Sequence, residues 1–310
     1  MTECERIIKE GILPASFFEE ETICDFLVTK ERKKIWAISL DLLIQVDRIC
    51  RKHNLKYFMA FGSLLGIVRH NGFIPWDDDL DICMTREDYE KFIEIAPKEL
   101  ADPYFLQVSG KDYDYFFSFA KLRNSNTTGA NYTFRYCKFN QGLGIDIFAL
   151  DNYHQNESES ERMQLKKLFM ENSANMRRSN PNPSPADVKR INEFPIRSPS
   201  EILAEINAIF EYANRKDSNY CIPSITIYDT HKMIYKWADI LDLTDVDFYG
   251  YRFLIPKNFN TILTTTYGDY MQFPPIEERG LWHKNALFNP DKPYKESLKD
   301  LLKAEENQTK

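Results

Sequence analysis

Four aspartates follow one another closely in the stretch FGSLLGIVRHNGFIPWDDDLDI, which covers residues 61–82. Two of them, Asp79 and Asp81, alternate with apolar residues, and this period of two predicts a strand with both carboxylates on one face. Carboxylates placed in this way repel each other unless a cation lies between them. Such oxygen ligands favour Mg²⁺ or Mn²⁺, so we predict a divalent metal site, with Asp77 as a further candidate ligand. Asp78 is expected to be solvated.

A third candidate ligand, Asp146, lies in another alternating segment, GIDIF at residues 144–148. An aspartate between two isoleucines in a strand is costly to bury without a partner. A metal ion is a natural partner if this strand lies beside the one that carries Asp79 and Asp81. The alternative is a core carboxylate that is satisfied by hydrogen bonds.

The pair Gly62-Ser63 stands between an apolar run that predicts a strand, residues 57–61, and a predicted helix at 64–70. A glycine at such a junction lets backbone N–H groups approach an anion, and the start of a helix adds positive potential. Ser63 can cap the helix and donate to a phosphate oxygen. On its own the pair is typical of a capped turn, but with the carboxylates that follow it indicates metal-assisted phosphoryl chemistry.

The elements around these residues show both kinds of periodicity. Apolar residues with helical spacing predict helices at 31–53, 86–101, 161–178 and 201–215. Short apolar or alternating runs predict strands at 57–61, 79–82, 115–122, 144–148, 220–228 and 249–255. Residues 179–185 and 267–275 are predicted loops. We therefore expect an α/β (α+β) fold in which a mixed sheet is flanked by helices, with helical and loop insertions.

The composition narrows the class of protein. The chain has 310 residues, 40 basic and 47 acidic, and its net charge of −7 disfavours nucleic-acid binding because phosphate neutralisation needs clustered Lys and Arg. No apolar run approaches the roughly 18 residues of a membrane span, and the first residues lack a secretory signal pattern. Six cysteines without a CxxC pair favour free thiols in a reducing compartment. These features predict a cytoplasmic protein without a transmembrane segment.

Several blocks of the sequence resemble the LicD family of phosphocholine transferases, which includes the fukutin-related proteins. The blocks are GSLLGIVRHNGFIPWDDDLDI at 62–82, KLR at 121–123, GIDIFALD at 144–151 and YGDYMQFPP at 267–275, with His283 after them. They follow the order of the family and span about 220 residues. Residues 152–220 match nothing in the family pattern.

The resemblance implies a nucleotidyltransferase-like core that requires Mg²⁺ or Mn²⁺. It also implies an enzyme that takes a CDP-alcohol, with CDP-choline favoured, and passes the phospho-alcohol to a hydroxyl of a cell-surface glycan precursor. Such an acceptor would be a lipopolysaccharide or teichoic acid unit, and any contact with a lipid-linked acceptor would be peripheral to the membrane. CMP is the leaving group.

The family positions fall on particular residues of this sequence. Its metal-binding DxD falls on Asp79 and Asp81 and its third carboxylate on Asp146, and these three are the expected catalytic residues, with Asp77 as an additional metal ligand. The positions expected to bind substrate are Gly62, Ser63, Arg69, Lys121, Arg123 and His283. From the residues alone, Arg69 could instead pair with the acidic block, and Lys121 and Arg123 could share a solvated face of their strand. Choline would be bound by aromatic faces, for which the candidates are Trp76, Tyr104, Phe105, Tyr270 and Trp282.

The prediction also covers the division of the chain and two alternative functions. We expect residues 1–150 to hold N-terminal helices and the catalytic core, 151–220 a variable helical insertion, and 221–310 the part that completes the domain. The same constellation also suits a nucleotidyltransferase that attacks the α-phosphate of a nucleoside triphosphate and releases pyrophosphate. The second alternative is a non-catalytic nucleotide-binding protein of the same fold.

Overall fold

The computed structural model describes residues 1–112, 115, 117–154, 158–224, 230–280 and 285–308. Its helices are α1 (Glu3–Lys9), α2 (Lys30–Lys52), α3 (Phe61–His70), α4 (Arg86–Glu99), α5 (Ser158–Arg177), α6 (Pro185–Asn192), α7 (Pro199–Asn214), α8 (Trp237–Ile240), α9 (Phe259–Tyr267) and α10 (Tyr294–Gln308). Its strands are β1 (Glu21–Ile23), β2 (Phe26–Val28), β3 (Phe58–Met59), β4 (Asp81–Thr85), β5 (Tyr104–Gln107), β6 (Ala120–Asn124), β7 (Thr128–Asn131), β8 (Leu143–Tyr153), β9 (Tyr220–Pro223), β10 (Tyr235–Lys236), β11 (Leu243–Phe248), β12 (Tyr251–Pro256) and β13 (Ala286–Asn289).

The central sheet is mixed and, within the described residues, has seven strands. Five of them run in the order β10-β9-β8-β4-β3, while β6 pairs with β8 and β5 with β6. β4 runs parallel to β8 along one edge, whereas β6 and β9 lie antiparallel along successive parts of the other edge. The long strand β8 therefore joins all parts of the sheet. Smaller antiparallel pairs form between β1 and β2, β11 and β12, and β7 and β13.

The register of β8 brings several predicted site residues together. Asp146 lies opposite Asp81 of β4 in the parallel pairing and opposite Lys121 of β6 in the antiparallel pairing. The Asp146 amide donates to the Leu80 carbonyl at 2.9 Å, and the Ala60 amide donates to the Asp81 carbonyl at 3.0 Å. The backbone hydrogen bonds of the sheet thus fix the Cα positions of Asp81 and Asp146.

Helix α2 supplies much of the core on which this sheet rests. Its apolar residues recur every three to four positions, and it packs against β6 and β8. Trp36, Ile38, Leu42 and Val46 are completely or almost completely buried. Each such side chain contributes roughly 1.5–3 kcal/mol on burial, so α2 anchors the strands that carry the site. Helix α4 packs against β4 and β8 in the same way.

The predicted fold class is confirmed, because helices pack against a mixed sheet. Of the five predicted helices, four correspond to α2, α4, α5 and α7 and the fifth to α3, and the predicted strands at 144–148 and 249–255 correspond to β8 and β12. The predicted loop at 267–275 contains no helix or strand after Tyr267, the last residue of α9. Sequence analysis did not identify α1, α6, α8, α9, β1, β2, β5, β7, β10, β11 or β13.

Several predicted boundaries were wrong. The run 57–61 forms a strand only at β3, because α3 already begins at Phe61 rather than at residue 64. Of the run 115–122, only residues from 120 onwards form a strand, since the aromatic side chains of Tyr115 and Phe117 pack in a side cluster with Phe139.

Two further strands have other bounds than predicted. β4 begins at Asp81 and ends at Thr85, so Asp79 precedes it and the strand is shifted along the chain. β9 covers residues 220–223 of the run predicted at 220–228, of which 225–229 lie outside the described residues.

The three predicted segments share the central sheet. β8 runs from 143 to 153, across the expected boundary at 150, and pairs with β9, which begins at the next expected boundary. Between them, α5 and α7 pack together around a small apolar cluster of their own, formed by Leu165, Leu168, Phe169, Ile202, Ile206 and Phe210. The segment 151–220 therefore contains helices, and its description as a variable insertion stays a prediction.

Two properties concern the chain as a whole. None of the helices in the described residues has the length and apolar character needed to cross a membrane. All six cysteines are free thiols, and five of them are buried.

Candidate active site

The centre of the site is the acidic segment, defined here as residues 77–81, together with Asp146. Asp77, Asp79, Asp81 and Asp146 are only partly exposed, although the sheet and helices surround them. The Lys121 ammonium lies 2.5 Å from Asp146 Oδ1. This Oδ1 is buried and contacts the ammonium without accepting a hydrogen bond from the described residues. Lys121 is therefore the cationic neighbour that the structure describes at Asp146.

Electrostatics shows that these carboxylates act as a group. Burial raises the pKa of Asp81 well above its ordinary range, and the charges of Asp79, Asp146 and Asp77 raise it further, whereas Lys121 lowers it. Burial also raises the pKa of Asp77, together with the charge of Asp79 and a side-chain hydrogen bond to it. Like charges in a confined space destabilise their ionised forms unless a cation neutralises them. The predicted association of Asp77, Asp79, Asp81 and Asp146 is thus present in the structure.

The start of α3 lies against this segment. Ser63 Oγ accepts a hydrogen bond from the Asp81 amide at 2.8 Å. A Cβ atom on Gly62 would lie 2.9 Å from Asp77 Oδ2, so a larger residue would displace that carboxylate. The backbone turns at Phe61, whose φ of +47° is strained for an aromatic residue. Gly62 therefore serves close packing with a carboxylate rather than the turn.

Helix α3 keeps the features expected of an anion site. No side chain caps it at Ala60 within the described residues, so the N–H groups of its first turn, which includes Gly62 and Ser63, have no helical partner. A serine hydroxyl that accepts a hydrogen bond still has its own proton to donate. Ser63 can therefore hold the Asp81 amide and donate to a substrate oxygen at the same time.

Arg69 lies at the other end of α3 and contacts a different part of the chain. Its Nη1 donates to the carbonyls of Tyr270 and Gln272 at 2.8 and 3.0 Å, and its guanidinium lies over the rings of Trp76 and Phe273. Its described contacts thus join the first block of the sequence to the loop after α9, and they include no carboxylate. These contacts do not support the alternative that Arg69 pairs with the acidic block.

Lys121 and Arg123 share a face of β6 but have different surroundings. Lys121 reaches Asp146, as described above. Arg123 is 7 % exposed and donates to Gln107 Oε1 at 2.6 Å and to the Gly142 carbonyl at 2.7 Å. Burial lowers the pKa of Arg123, and the charge of Asp146 opposes this shift. The described hydrogen bonds of Arg123 hold β5 and the start of β8, while its role toward substrate stays a prediction.

The aromatic candidates for choline are mostly engaged elsewhere. The Trp76 ring lies 4.5 Å from the Arg279 guanidinium and 5.8 Å from that of Arg69. The hydroxyl of Tyr104 donates to Asp41, and that of Tyr270 donates to Asn260. Phe105 is exposed. Trp282 and the predicted substrate ligand His283 lie outside the described residues.

Three residues near the acidic segment were missed by the sequence analysis. Tyr267 is 43 % exposed, yet burial of its hydroxyl end raises the pKa of the phenol, with contributions from the charges of Asp81, Asp77 and Asp79. Its position as the first residue of the block 267–275 was the available signal. Arg32 and Trp36 of α2 both donate to the Asp77 carbonyl, and no local pattern indicated them.

The donor set fits a divalent cation in its chemistry. Asp79, Asp81 and Asp146, with Asp77 beside them, supply several carboxylate oxygens, the ligands that Mg²⁺ and Mn²⁺ prefer. Asp146 Oδ1 accepts no hydrogen bond from the described residues, and a bound ion would replace the Lys121 ammonium as its partner. Across the described part of the chain, no three acidic, histidine or cysteine side chains already converge as ligands do. The carboxylates therefore fit a divalent cation by their chemical type and their proximity, but they do not form a complete coordination shell in advance.

A mixed sheet with carboxylates on adjacent strands, beside a helix whose first turn contains Gly-Ser, is the arrangement that the sequence pattern predicted for a nucleotidyltransferase-like core. Residues 54–180 match the family model described as LicD/FKTN/FKRP, nucleotidyltransferase domain. This match confirms the resemblance to the LicD family. It also includes residues 152–180, for which the sequence analysis found no match to the family pattern.

Individual relatives point the same way. The chain is 24 % identical over 255 residues to the lipopolysaccharide cholinephosphotransferase LicD of Haemophilus influenzae, covering 79 % of this chain and 93 % of the relative. It is 46 % identical over 63 residues to the uncharacterized protein RT0683 of Rickettsia typhi, which is 20 % of each chain. It is 43 % identical over 81 residues to the uncharacterized protein RP689 of Rickettsia prowazekii, 25 % of this chain and 30 % of the relative.

Proposed function

We propose that this protein is a metal-dependent phosphotransferase that moves a phospho-alcohol, phosphocholine above all, from a CDP-alcohol to a hydroxyl of a cell-surface glycan precursor. The observation that carries the proposal is the register of β4 and β8, which brings Asp81 and Asp146 together beside the start of α3. The lipopolysaccharide cholinephosphotransferase named above supports the choice of choline and of a lipopolysaccharide-type acceptor.

The reaction exchanges the phosphoanhydride bond of the CDP-alcohol for a phosphoester bond to the acceptor. The acceptor hydroxyl oxygen forms a bond to the phosphorus that carries the alcohol, and the bond from this phosphorus to the CMP oxygen breaks. The hydroxyl proton passes to a carboxylate, for which Asp79 and Asp81 are the candidates. CMP leaves as the anion.

The residues of the site have distinct parts in this scheme. Asp79, Asp81 and Asp146, with Asp77, would hold Mg²⁺ or Mn²⁺, which neutralises charge on the diphosphate when bound. The hydroxyl of Ser63 and the free N–H groups at the start of α3 donate to phosphate oxygens. Lys121, next to Asp146, can reach the same oxygens once the carboxylate has another partner. Arg69, Arg123 and His283 are retained as candidate substrate ligands.

The proposal also covers where the protein meets its substrates. The free thiols fit a reducing compartment such as the cytoplasm, and contact with a lipid-linked acceptor would then occur at the membrane surface. No part in nucleic-acid binding is proposed.

The test is to incubate the purified protein with Mg²⁺ and a panel of CDP-choline, CDP-ethanolamine, CDP-glycerol, CDP-ribitol and CTP, and to follow nucleotide products by chromatography. We expect metal-dependent CMP release from one CDP-alcohol, slowly with water as acceptor and faster with a lipopolysaccharide precursor. Pyrophosphate from CTP would favour the second candidate function, a nucleotidyltransferase. The description of the matching family model as a nucleotidyltransferase domain supports this candidate. Tight binding of a CDP-alcohol without any product would point to a non-catalytic protein.

A further inference from the structure

The acidic segment is held at both ends by side chains that lie outside it. At its end, the Asp81 amide donates to Ser63 Oγ. At its start, the carbonyl oxygen of Asp77 accepts two hydrogen bonds, from Arg32 Nη1 at 2.7 Å and from Trp36 Nε1 at 2.9 Å. Both donors belong to α2, which ends before the residues matched by the family model begin.

The two donors are themselves fixed by their surroundings. They stand four residues apart, so they project from the same face of α2. The Arg32 amide donates to the N-cap residue Thr29, and the Arg32 guanidinium lies 5.5 Å from the Phe26 ring. Trp36 is 1 % exposed and stacks on Phe73 with ring centres 5.0 Å apart. The donors are therefore preorganised and not mobile surface groups.

A carbonyl that accepts two hydrogen bonds fixes the peptide plane between Asp77 and Asp78. The side chain of the same residue is held as well, because Asp77 Oδ1 accepts from the Asp78 amide at 3.1 Å and Oδ2 lies against Gly62. The Asp77 carboxyl also shares a side-chain hydrogen bond with Asp79, so a fixed Asp77 helps to fix the next carboxylate. Arg32 also places a positive charge near Asp77 and Asp78.

We propose that Arg32 and Trp36 are positioning residues, which hold the Asp77 carbonyl so that the carboxylates of the acidic segment point into the site. Neither residue is assigned to touch substrate. The expected effect on metal affinity rests on the function proposed above, whereas the effect on the conformation of the acidic segment does not. The two parts are therefore measured separately.

The first measurement is carboxylate labelling with a carbodiimide and glycine ethyl ester, read by mass spectrometry on the peptide that contains residues 77–81. Arg32→Met and Trp36→Phe each remove one donor, and the phenylalanine keeps a ring against Phe73. We expect labelling of the acidic segment to become about fivefold faster in each variant, the effect of losing one hydrogen bond. Unchanged labelling in both variants would overturn the proposal.

The chain offers a matched control for each variant. Arg48 is another arginine of α2 that donates to a backbone carbonyl, that of Glu99 at 3.0 Å, and Trp237 is another tryptophan whose Nε1 donates to an oxygen, Asn152 Oδ1 at 2.8 Å. Arg48→Met and Trp237→Phe should label residues 77–81 at the wild-type rate. Acceleration equal to that of the test variants would show general loosening and overturn the proposal. If Trp36→Phe unfolds, labelling rises along the whole chain, and Arg32→Met then decides.

The second measurement is the affinity for Mn²⁺ by electron paramagnetic resonance or calorimetry, without nucleotide. We expect about tenfold weaker binding in Arg32→Met, the usual scale for partners of metal ligands, and partial recovery in Arg32→Lys, which keeps a charge and one donor. A wild-type affinity in Arg32→Met, with faster labelling, would overturn the role in metal binding. Absence of Mn²⁺ binding and CMP release in the wild type would refute the proposed function, while labelling still decides the positioning role.

Discussion

Two carboxylates on the same strand, five residues apart, have opposite surroundings. Asp151 is 1 % exposed and is fully satisfied, because Arg86 donates to both of its oxygens at 2.7 and 2.6 Å and Asn214 donates to Oδ1 at 2.6 Å. Asp146, nearer the start of β8, is partly exposed, and its Oδ1 contacts the Lys121 ammonium without accepting a hydrogen bond from the described residues.

This difference matches the distinction between a structural carboxylate and one proposed to bind metal. Asp151 accepts three hydrogen bonds, two of them from a planar guanidinium, and is closed to solvent. Asp146 is partly exposed and lies opposite Asp81, whose carboxylate is surrounded by like charges. The contacts of Asp151 therefore stabilise the fold, whereas the like charges around Asp146 and Asp81 repel one another, and a cation bound there would relieve this repulsion.

The same substitution at both positions should give the largest contrast in activity. Asp146→Asn removes a candidate metal ligand, so we expect CMP release to fall about 10³-fold, or ~4 kcal/mol of transition-state stabilisation. The free energy of unfolding should change by less than about 1 kcal/mol, because the lost ion pair is offset by weaker repulsion with Asp81. Activity is followed by nucleotide chromatography, and near-normal turnover would contradict the assignment. Asp81→Ala should behave like Asp146→Asn.

Asp151→Asn should have the reverse effect. It leaves the largely buried Arg86 without its counter-charge and turns one acceptor into a donor, so we expect a loss of about 3 kcal/mol in the free energy of unfolding. Below the unfolding transition, kcat should stay within about threefold of wild type, since Asp151 has no capacity for substrate. Urea unfolding gives the first quantity. A stable but inactive Asp151→Asn protein would break the distinction between the two ends of β8.

The sequence predicted the features of the site that depend on local pattern, but not those that depend on which strands pair. The alternation around Asp79, Asp81 and Asp146 predicted strands with carboxylates on one face, because period two is a local property. It could not say that β4 and β8 are neighbours, and the prediction for Asp146 was conditional on that pairing. The parallel pairing places Asp81 opposite Asp146, 65 positions further along the chain, and no local sequence pattern predicts this pairing.

The supporting contacts were less predictable for the same reason. Arg32 and Trp36 form part of a regular amphipathic helix, and their hydrogen bonds to the Asp77 carbonyl depend on how that helix docks. Gly62 was assigned to phosphate binding, which stays a prediction, whereas its close approach to a carboxylate 15 positions away in the chain left no local signal. Arg69 was assigned to phosphate, and only the tertiary structure shows its hydrogen bonds to the loop after α9.

A smaller effect should follow from removing the cation next to Asp146. Lys121→Met leaves a partly buried carboxylate without its ammonium, so we expect the metal-free protein to lose about 1–2 kcal/mol of unfolding free energy. Saturating Mn²⁺ should restore most of this loss, because the ion then neutralises the same carboxylate. Thermal unfolding with and without Mn²⁺ measures both. Lys91→Met, which breaks an exposed pair with Glu87 on α4, should change little and should show no response specific to Mn²⁺.

The smallest expected effect concerns His70, which contacts Arg69 rather than the carboxylates. Burial, with the charges of Arg69 and Arg279, lowers the pKa of His70 from 6.5 to about 4, and its Nε2 accepts a hydrogen bond from Arg69 Nε at 3.0 Å. Between these two pH values the unfolded chain binds more protons at His70 than the native protein does. The contribution of His70 to the free energy of unfolding must therefore decrease as the pH falls from 6.5 toward 4.

Because His70 keeps some solvent contact, the decrease should be about 1–2 kcal/mol. His70→Gln retains an acceptor for Arg69 but cannot be protonated, so its urea-unfolding free energy should fall less than that of wild type over this range. At pH 7.5 the two proteins should differ little. An identical pH dependence in both would show that protonation of His70 does not cause the decrease.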